Sequence, residues 1–115
     1  MNTHLRERVE ALLGQYSEVT LGTCGQVGPQ LTFVSCELRN HVLLLFLARS
    51  SDHLFNLEQQ SQLALLTPTW KLDGQADSSG QVAAPHSWQI VVSVQPSRLH
   101  ILSDDGQSIV ETIDF

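Results

Sequence analysis

Positive charge is scarce in this chain: Lys and Arg together number 6 against 12 Asp and Glu, a net charge of −6 over 115 residues. Nucleic acid and anionic membranes are bound by cationic side chains that displace counterions, so an acidic chain without a Lys/Arg cluster argues against both partners. Cysteine is sparse too. Cys24 and Cys36 fall in two separate strand-like segments and form no Cys-x-x-Cys pair, the pattern of free thiols in a reducing compartment. The longest apolar run, residues 42–48, is too short to span a bilayer, and Arg6, Glu7, Arg8 and Glu10 leave the start of the chain without an apolar signal segment. A cytoplasmic protein is the expectation.

Two kinds of chemistry are missing as motifs. His4, His41, His53, His86 and His100 show no His-x-x-x-His spacing, so no metal site is expected. Gly-x-Ser-x-Gly is absent, and the consecutive Ser51, Asp52 and His53 cannot act as a hydrolytic triad because neighbours at a helix start point apart. No catalytic acid, base or nucleophile is assigned. Charged residues make up only 16% of the chain, which suggests that another subunit covers part of its surface.

Apolar residues, at 42%, suffice for one core, and no composition break or repeat divides residues 1–115, so one domain is expected. Leu5, Val9, Leu12, Leu13 and Tyr16 fall at helical spacing, with Thr3 placed to cap the start and Gly14 to mark the end. Residues 18–24 alternate as a strand and break at Gly25-Gln26-Val27-Gly28-Pro29. A second strand over residues 30–38, with Leu31, Phe33 and Val34 assigned to the interior, forms a hairpin through Arg39-Asn40-His41 with a third over residues 42–48.

The chain is organised around the third strand and the segment joined to its end. Arg49-Ser50-Ser51 is a polar break, then residues 52–60 read as a short amphipathic helix and residues 63–66 as a strand. A helix start with hydroxyls, a guanidinium and free backbone N–H groups suits an anion. The same Ser51 or Asp52 equally serves as a plain helix cap. Thr67-Pro68 then interrupts, and residues 70–76 form a strand with Trp70 and Leu72 on one face. Residues 77–87 read as a mobile loop. Residues 88–94 and 98–102 are strand, kinked at Pro96-Ser97, and residues 109–113 supply an edge strand or a packed tail. Trp70 and Trp88 are either core and interface anchors or platforms for a planar ring. About seven strands and two helices without βαβ alternation predict a mainly β protein, closed into a small antiparallel barrel that removes exposed edges.

The order of these elements resembles the FMN-binding split barrel of the pyridoxamine 5′-phosphate oxidase-like superfamily. The residues that carry the likeness are Val19-Thr20-Leu21-Gly22-Thr23 followed by Gly28-Pro29, the strand at residues 42–46, Ser51-Asp52-His53-Leu54-Phe55-Asn56-Leu57 on a Ser-x-Lys-x-x-Asn-Leu pattern, and Leu63-Ala64-Leu65-Leu66. The resemblance implies a six- to seven-stranded antiparallel split barrel with an N-terminal helix and one short helix after the third strand. It further implies a homodimer with FMN between subunits, a small-molecule substrate and oxidoreductase chemistry carried by the flavin. Arg49, Ser50, Ser51 and His53 would hold the phosphate, Thr32, Val34 and Ser35 would lie on the strand facing the isoalloxazine ring, and Thr69 would stand where the oxidases place a glutamine. The chain departs from the pattern at two positions: Asp52 replaces a frequent Arg and His53 replaces the Lys. That loss of cations weakens attraction for a phosphate carrying nearly two negative charges. It supports the alternative of a flavin-free split-barrel dimer that acts as a binding or regulatory module, or takes haem or a deazaflavin.

Overall fold

The computed structural model describes residues 1–77 and 84–115. Helix α1 spans Thr3–Leu13, and its N-cap is Asn2, not the expected Thr3: the Asn2 side chain accepts the Leu5 N–H at 2.8 Å. Asparagine is as good a cap as threonine, and placing it first gains one further helical residue. The helix ends where Gly14 was expected to end it, the Gly14 N–H bonding back to the Glu10 carbonyl.

Seven strands complete the chain among the described residues: β1 (Glu18–Thr23), β2 (Gln30–Arg39), β3 (Val42–Ala48), β4 (Gln62–Leu66), β5 (Trp70–Asp77), β6 (Gln89–Leu102) and β7 (Ile109–Asp114). Helix α2 (Asp52–Gln59) sits between β3 and β4. All pairings are antiparallel, and β3 closes onto β6, so six strands form a barrel in the order β1-β2-β3-β6-β5-β4, with β7 attached to β6. The β2–β3 connection is a two-residue hairpin in which Asn40 and His41 both have positive φ, 52° and 68°. Two left-handed residues match the right-handed twist of the flanking strands.

Strand β6 runs through Pro96 without a break. Its first half pairs with β3 up to Leu43↔Val94, and its second half pairs with β7 from Arg98↔Asp114, so Pro96 falls in the gap between two partners on that edge. Its missing N–H costs no ladder bond there. On the other edge the β5 register shifts at Gly74, where a Cβ would lie 2.8 Å from the Gln95 carbonyl oxygen. The C-terminal segment is therefore an edge strand rather than a tail. The expected mobile loop at residues 77–87 lies partly outside the described residues, since residues 78–83 are not among them.

The core is made by Leu21, Leu45, Leu65, Leu72 and Leu99 from five strands, with Trp70 wholly buried at its α1 end. Trp70 Nε1 donates to the Leu12 carbonyl at 2.8 Å, so the indole fastens α1 to the barrel without burying an unpaired donor. Strand β2 corrects an expectation. Leu31 and Phe33 point outward, 73% and 78% exposed, whereas Val34 and Cys36 enter the core. Directly opposed residues share a face of the sheet, and the β1–β2 register sets Val19 against Val34 and Leu21 against Thr32. Val19 and Leu21 are buried, so the even-numbered residues of β2 turn in and the odd-numbered ones turn out. No helix among the described residues is long and apolar enough to cross a membrane.

Candidate functional site

The β2–β3 ladder pairs only from Ser35↔Phe46 to Arg39↔Val42. Before Ser35 the strands have no mutual pairs, and the first turn of α2 sits at this opening. The chain enters α2 through a tight turn in which the Ser51 N–H bonds to the Ala48 carbonyl at 2.9 Å. Ser51 is the N-cap. Its Oγ accepts the His53 N–H at 3.2 Å and its carbonyl accepts the Leu54 N–H at 3.1 Å. Two of the amides that a helix start can offer an anion are thus taken by the cap itself.

His53 and Asn56 share the inner face of α2 and are 2% and 0% exposed. Residues three apart on a helix lie on one side. Asn56 Oδ1 accepts the Val27 N–H at 3.1 Å, while its Nδ2 donates to the Gly28 carbonyl at 2.9 Å and to Thr23 Oγ1 at 3.1 Å. His53 Nδ1 lies 2.7 Å from Thr23 Oγ1, and His53 Nε2 lies 2.8 Å from Thr32 Oγ1. Burial pushes the imidazole pKa below its ordinary value, against a smaller opposing pull from the Asp52 carboxylate, so the ring is neutral near pH 7. The helix thereby clamps the β1–β2 hairpin. The clamp is tight: a Cβ on Gly25 would lie 2.9 Å from Asn56 Oδ1 and 3.0 Å from Asn56 Cα, so only glycine lets the turn approach α2.

Arg49 and Ser50 are exposed just before the cap. Arg49 is steered by its Nε, which donates to the Ser87 carbonyl at 2.8 Å, and its backbone N–H bonds to the Trp88 carbonyl at 2.9 Å. Trp88 is exposed and stacks on His86, with ring centroids 5.3 Å apart and planes 7° from parallel. The turn that leaves β3 thus carries an exposed guanidinium tied to the segment of the His86–Trp88 stack, while on β2 the Thr32 hydroxyl bonds to His53.

The structure brings some of the expected site residues together and separates others. Arg49, Ser50, Ser51 and His53 are contiguous, but the His53 ring turns into the barrel and spends both nitrogens on threonines. Thr32 joins this cluster through that ring. Val34 is a core residue, and Ser35 faces out beside Phe33. Thr69 lies at the α1 end, where its Oγ1 donates to Gln15 Oε1 at 3.0 Å and lies 3.1 Å from the Tyr16 hydroxyl. Thr23 and Asn56 are the polar residues that sequence reading left without a role; the signal available was Asn56 standing three residues after His53.

The residues present do not fit a dianionic phosphate. Arg49 is the one cation at the turn, the amides of residues 53 and 54 are committed to Ser51, and exposed Asp52 brings a negative charge to the first helical turn.

The sequence matches no protein-family model and no curated protein. The fold, in contrast, has many solved counterparts. General stress protein 26 from Bacillus anthracis superposes with a TM-score of 0.72 at 13% identity, over 98% of this chain and 100% of that one. A Listeria innocua protein assigned as a pyridoxamine 5′-phosphate oxidase gives 0.69 at 12% identity, over 85% of this chain and 98% of that one. A haem-binding protein from Mycobacterium smegmatis gives 0.68 at 17% identity, over 95% of this chain and 56% of that one. At these identities the likeness is one of fold, and it joins proteins whose names point to different roles. The chain thus has the split-barrel fold of the pyridoxamine 5′-phosphate oxidase-like proteins.

Proposed function

We propose that this protein is a homodimeric split-barrel binder of a planar cofactor, gripped by its ring system rather than by a phosphate tail. The observation that carries this reading is the closure of the α2 cap by Ser51 where β2–β3 pairing ends, with Arg49 and the Trp88–His86 stack joined at the end of β3 and Thr32 bonded to His53 on β2. Flavin-dependent oxidoreduction of a small molecule, with FMN as the form bound, is the finer version. Arg49 and the hydroxyls of Ser50 and Ser51 would then meet the phosphate. The buried His53 and the exposed Asp52 favour the second version, a flavin-free module or one that takes haem.

The dimer rests on a separate feature. Two rows cross β2, β1 and β4 on the outer face, Phe33–Thr20–Leu66 and Leu31–Gly22–Ala64, and Leu66 is 48% exposed. Contiguous exposed apolar side chains on a sheet face mark an interaction surface. The cytoplasm, which keeps Cys24 and Cys36 as thiols, is the proposed compartment.

Parallel titrations of FMN, riboflavin and haemin against the purified protein separate these versions. A ring-gripping site binds riboflavin at least as tightly as FMN, and Asp52→Lys then improves FMN about tenfold, with riboflavin unchanged, by replacing a repulsion with a charge-assisted contact. FMN binding far tighter than riboflavin in the wild type would refute the ring-grip reading. Binding of haemin alone would select the flavin-free version.

A further inference from the structure

The hydrogen bonds around His53 fix a direction, and the direction ends at the candidate site. Asn56 cannot be flipped, because its Oδ1 meets a donor, the Val27 N–H, and its Nδ2 meets an acceptor, the Gly28 carbonyl. Thr23 Oγ1 therefore receives an N–H from Asn56. Thr23 is buried, and the acceptor within reach of its own hydroxyl proton is His53 Nδ1, 2.7 Å away. Were Nδ1 protonated instead, Thr23 would accept twice and leave a buried hydroxyl proton without a partner, which is costly. The neutral ring consequently carries its proton on Nε2 and donates it to Thr32 Oγ1, 2.8 Å away. Thr32 is exposed, and with its oxygen accepting from His53 its own proton has no acceptor among the described residues.

We propose that Thr32 is a hydrogen-bond donor to the bound ring, placed by the one-way chain Asn56, Thr23, His53, Thr32. Because His53 already donates to its oxygen, the Thr32 proton is turned away from the barrel and is available to a planar ligand that presents an acceptor, a ring nitrogen or carbonyl, at the β2 lip. His53 is a positioning residue in this scheme: it touches no ligand and sets which way the Thr32 proton points. The donor role rests on the planar-cofactor reading above, whereas the direction of the chain does not.

Two measurements separate the parts. Long-range proton–nitrogen NMR spectra of the ligand-free protein at pH 7 report the tautomer of each histidine, and His53 is expected with its proton on Nε2. A proton on Nδ1, or on both nitrogens, overturns the chain. Riboflavin, FMN and haemin are then titrated against wild type, Thr32→Val and Thr32→Ser. For whichever probe binds the wild type, Thr32→Val should weaken binding about five- to tenfold, while Thr32→Ser, which keeps the hydroxyl, stays within about twofold. Thermal melts of both variants show whether each is folded. Should Thr32→Val prove unfolded, Thr32→Ser against Thr32→Ala, which removes the hydroxyl with less bulk, makes the same comparison. Equal affinities with and without the hydroxyl overturn the donor role. Failure of all three probes to bind the wild type overturns the cofactor reading and the donor role with it, and the tautomer result still decides whether the chain exists.

Discussion

Replacing Phe33 with threonine tests the proposed dimer at its most exposed aromatic. Threonine, being β-branched, suits a strand as phenylalanine does, and Phe33 lies opposite Thr20 on the outer face, so the fold of the single chain is untouched. Fully burying a phenylalanine side chain contributes about 1.5–3 kcal/mol. Phe33 is 78% exposed, so nearly all of that remains to be gained at an interface. A two-fold interface contains the residue twice, which brings the expected loss to about 3–5 kcal/mol, or roughly a hundred- to several-thousand-fold in the dissociation constant. Sedimentation equilibrium across nanomolar to high micromolar protein reads this directly. The wild type should be dimeric at micromolar concentration and the variant largely monomeric, with unchanged far-UV circular dichroism. A wild type that stays monomeric, or a variant that dimerises as well as the wild type, removes the outer face of β2, β1 and β4 as the interface.

Acid should loosen the α2 clamp. The His53 pKa is lowered in the folded state below the ordinary 6.5, so the unfolded chain takes up the proton first. Stability from this group is complete above pH 6.5 and is lost as the pH falls toward the folded value, with a slope approaching about 1.4 kcal/mol per pH unit inside that window. Urea melts of wild type and His53→Asn between pH 7.5 and 5 should show a steeper decline in the wild type; equal slopes would disprove the assignment. The two thiols should also separate. Burial, reinforced by the Glu18 carboxylate, pushes the Cys36 thiol up to about 11, and its Sγ donates to the Tyr16 carbonyl, while Cys24 is exposed. Iodoacetamide at pH 8 should label Cys24 and spare Cys36 in the native protein, as peptide mapping would show, and comparable labelling of both would contradict the burial.

The sequence determined the order of elements, because that order is encoded by local signals. Gly14 ends α1, Asn40 and His41 make a two-residue turn, Pro68 separates β4 from β5, and the short leucine-rich run at β3 reads as a buried strand. Tertiary structure decided which way side chains point. Residues 30–34 read Gln-Leu-Thr-Phe-Val, a pattern that looks buried at Leu31 and Phe33; only pairing with the buried Val19 and Leu21 of β1 turns those two outward and Thr32 toward α2. His53 likewise stands where a phosphate ligand was expected, and its inward turn results from Thr23 and Thr32 arriving from two other strands, which no reading of residues 51–57 could supply. Periodicity reports that an element has two faces, and the choice between them is made by a partner strand distant in sequence.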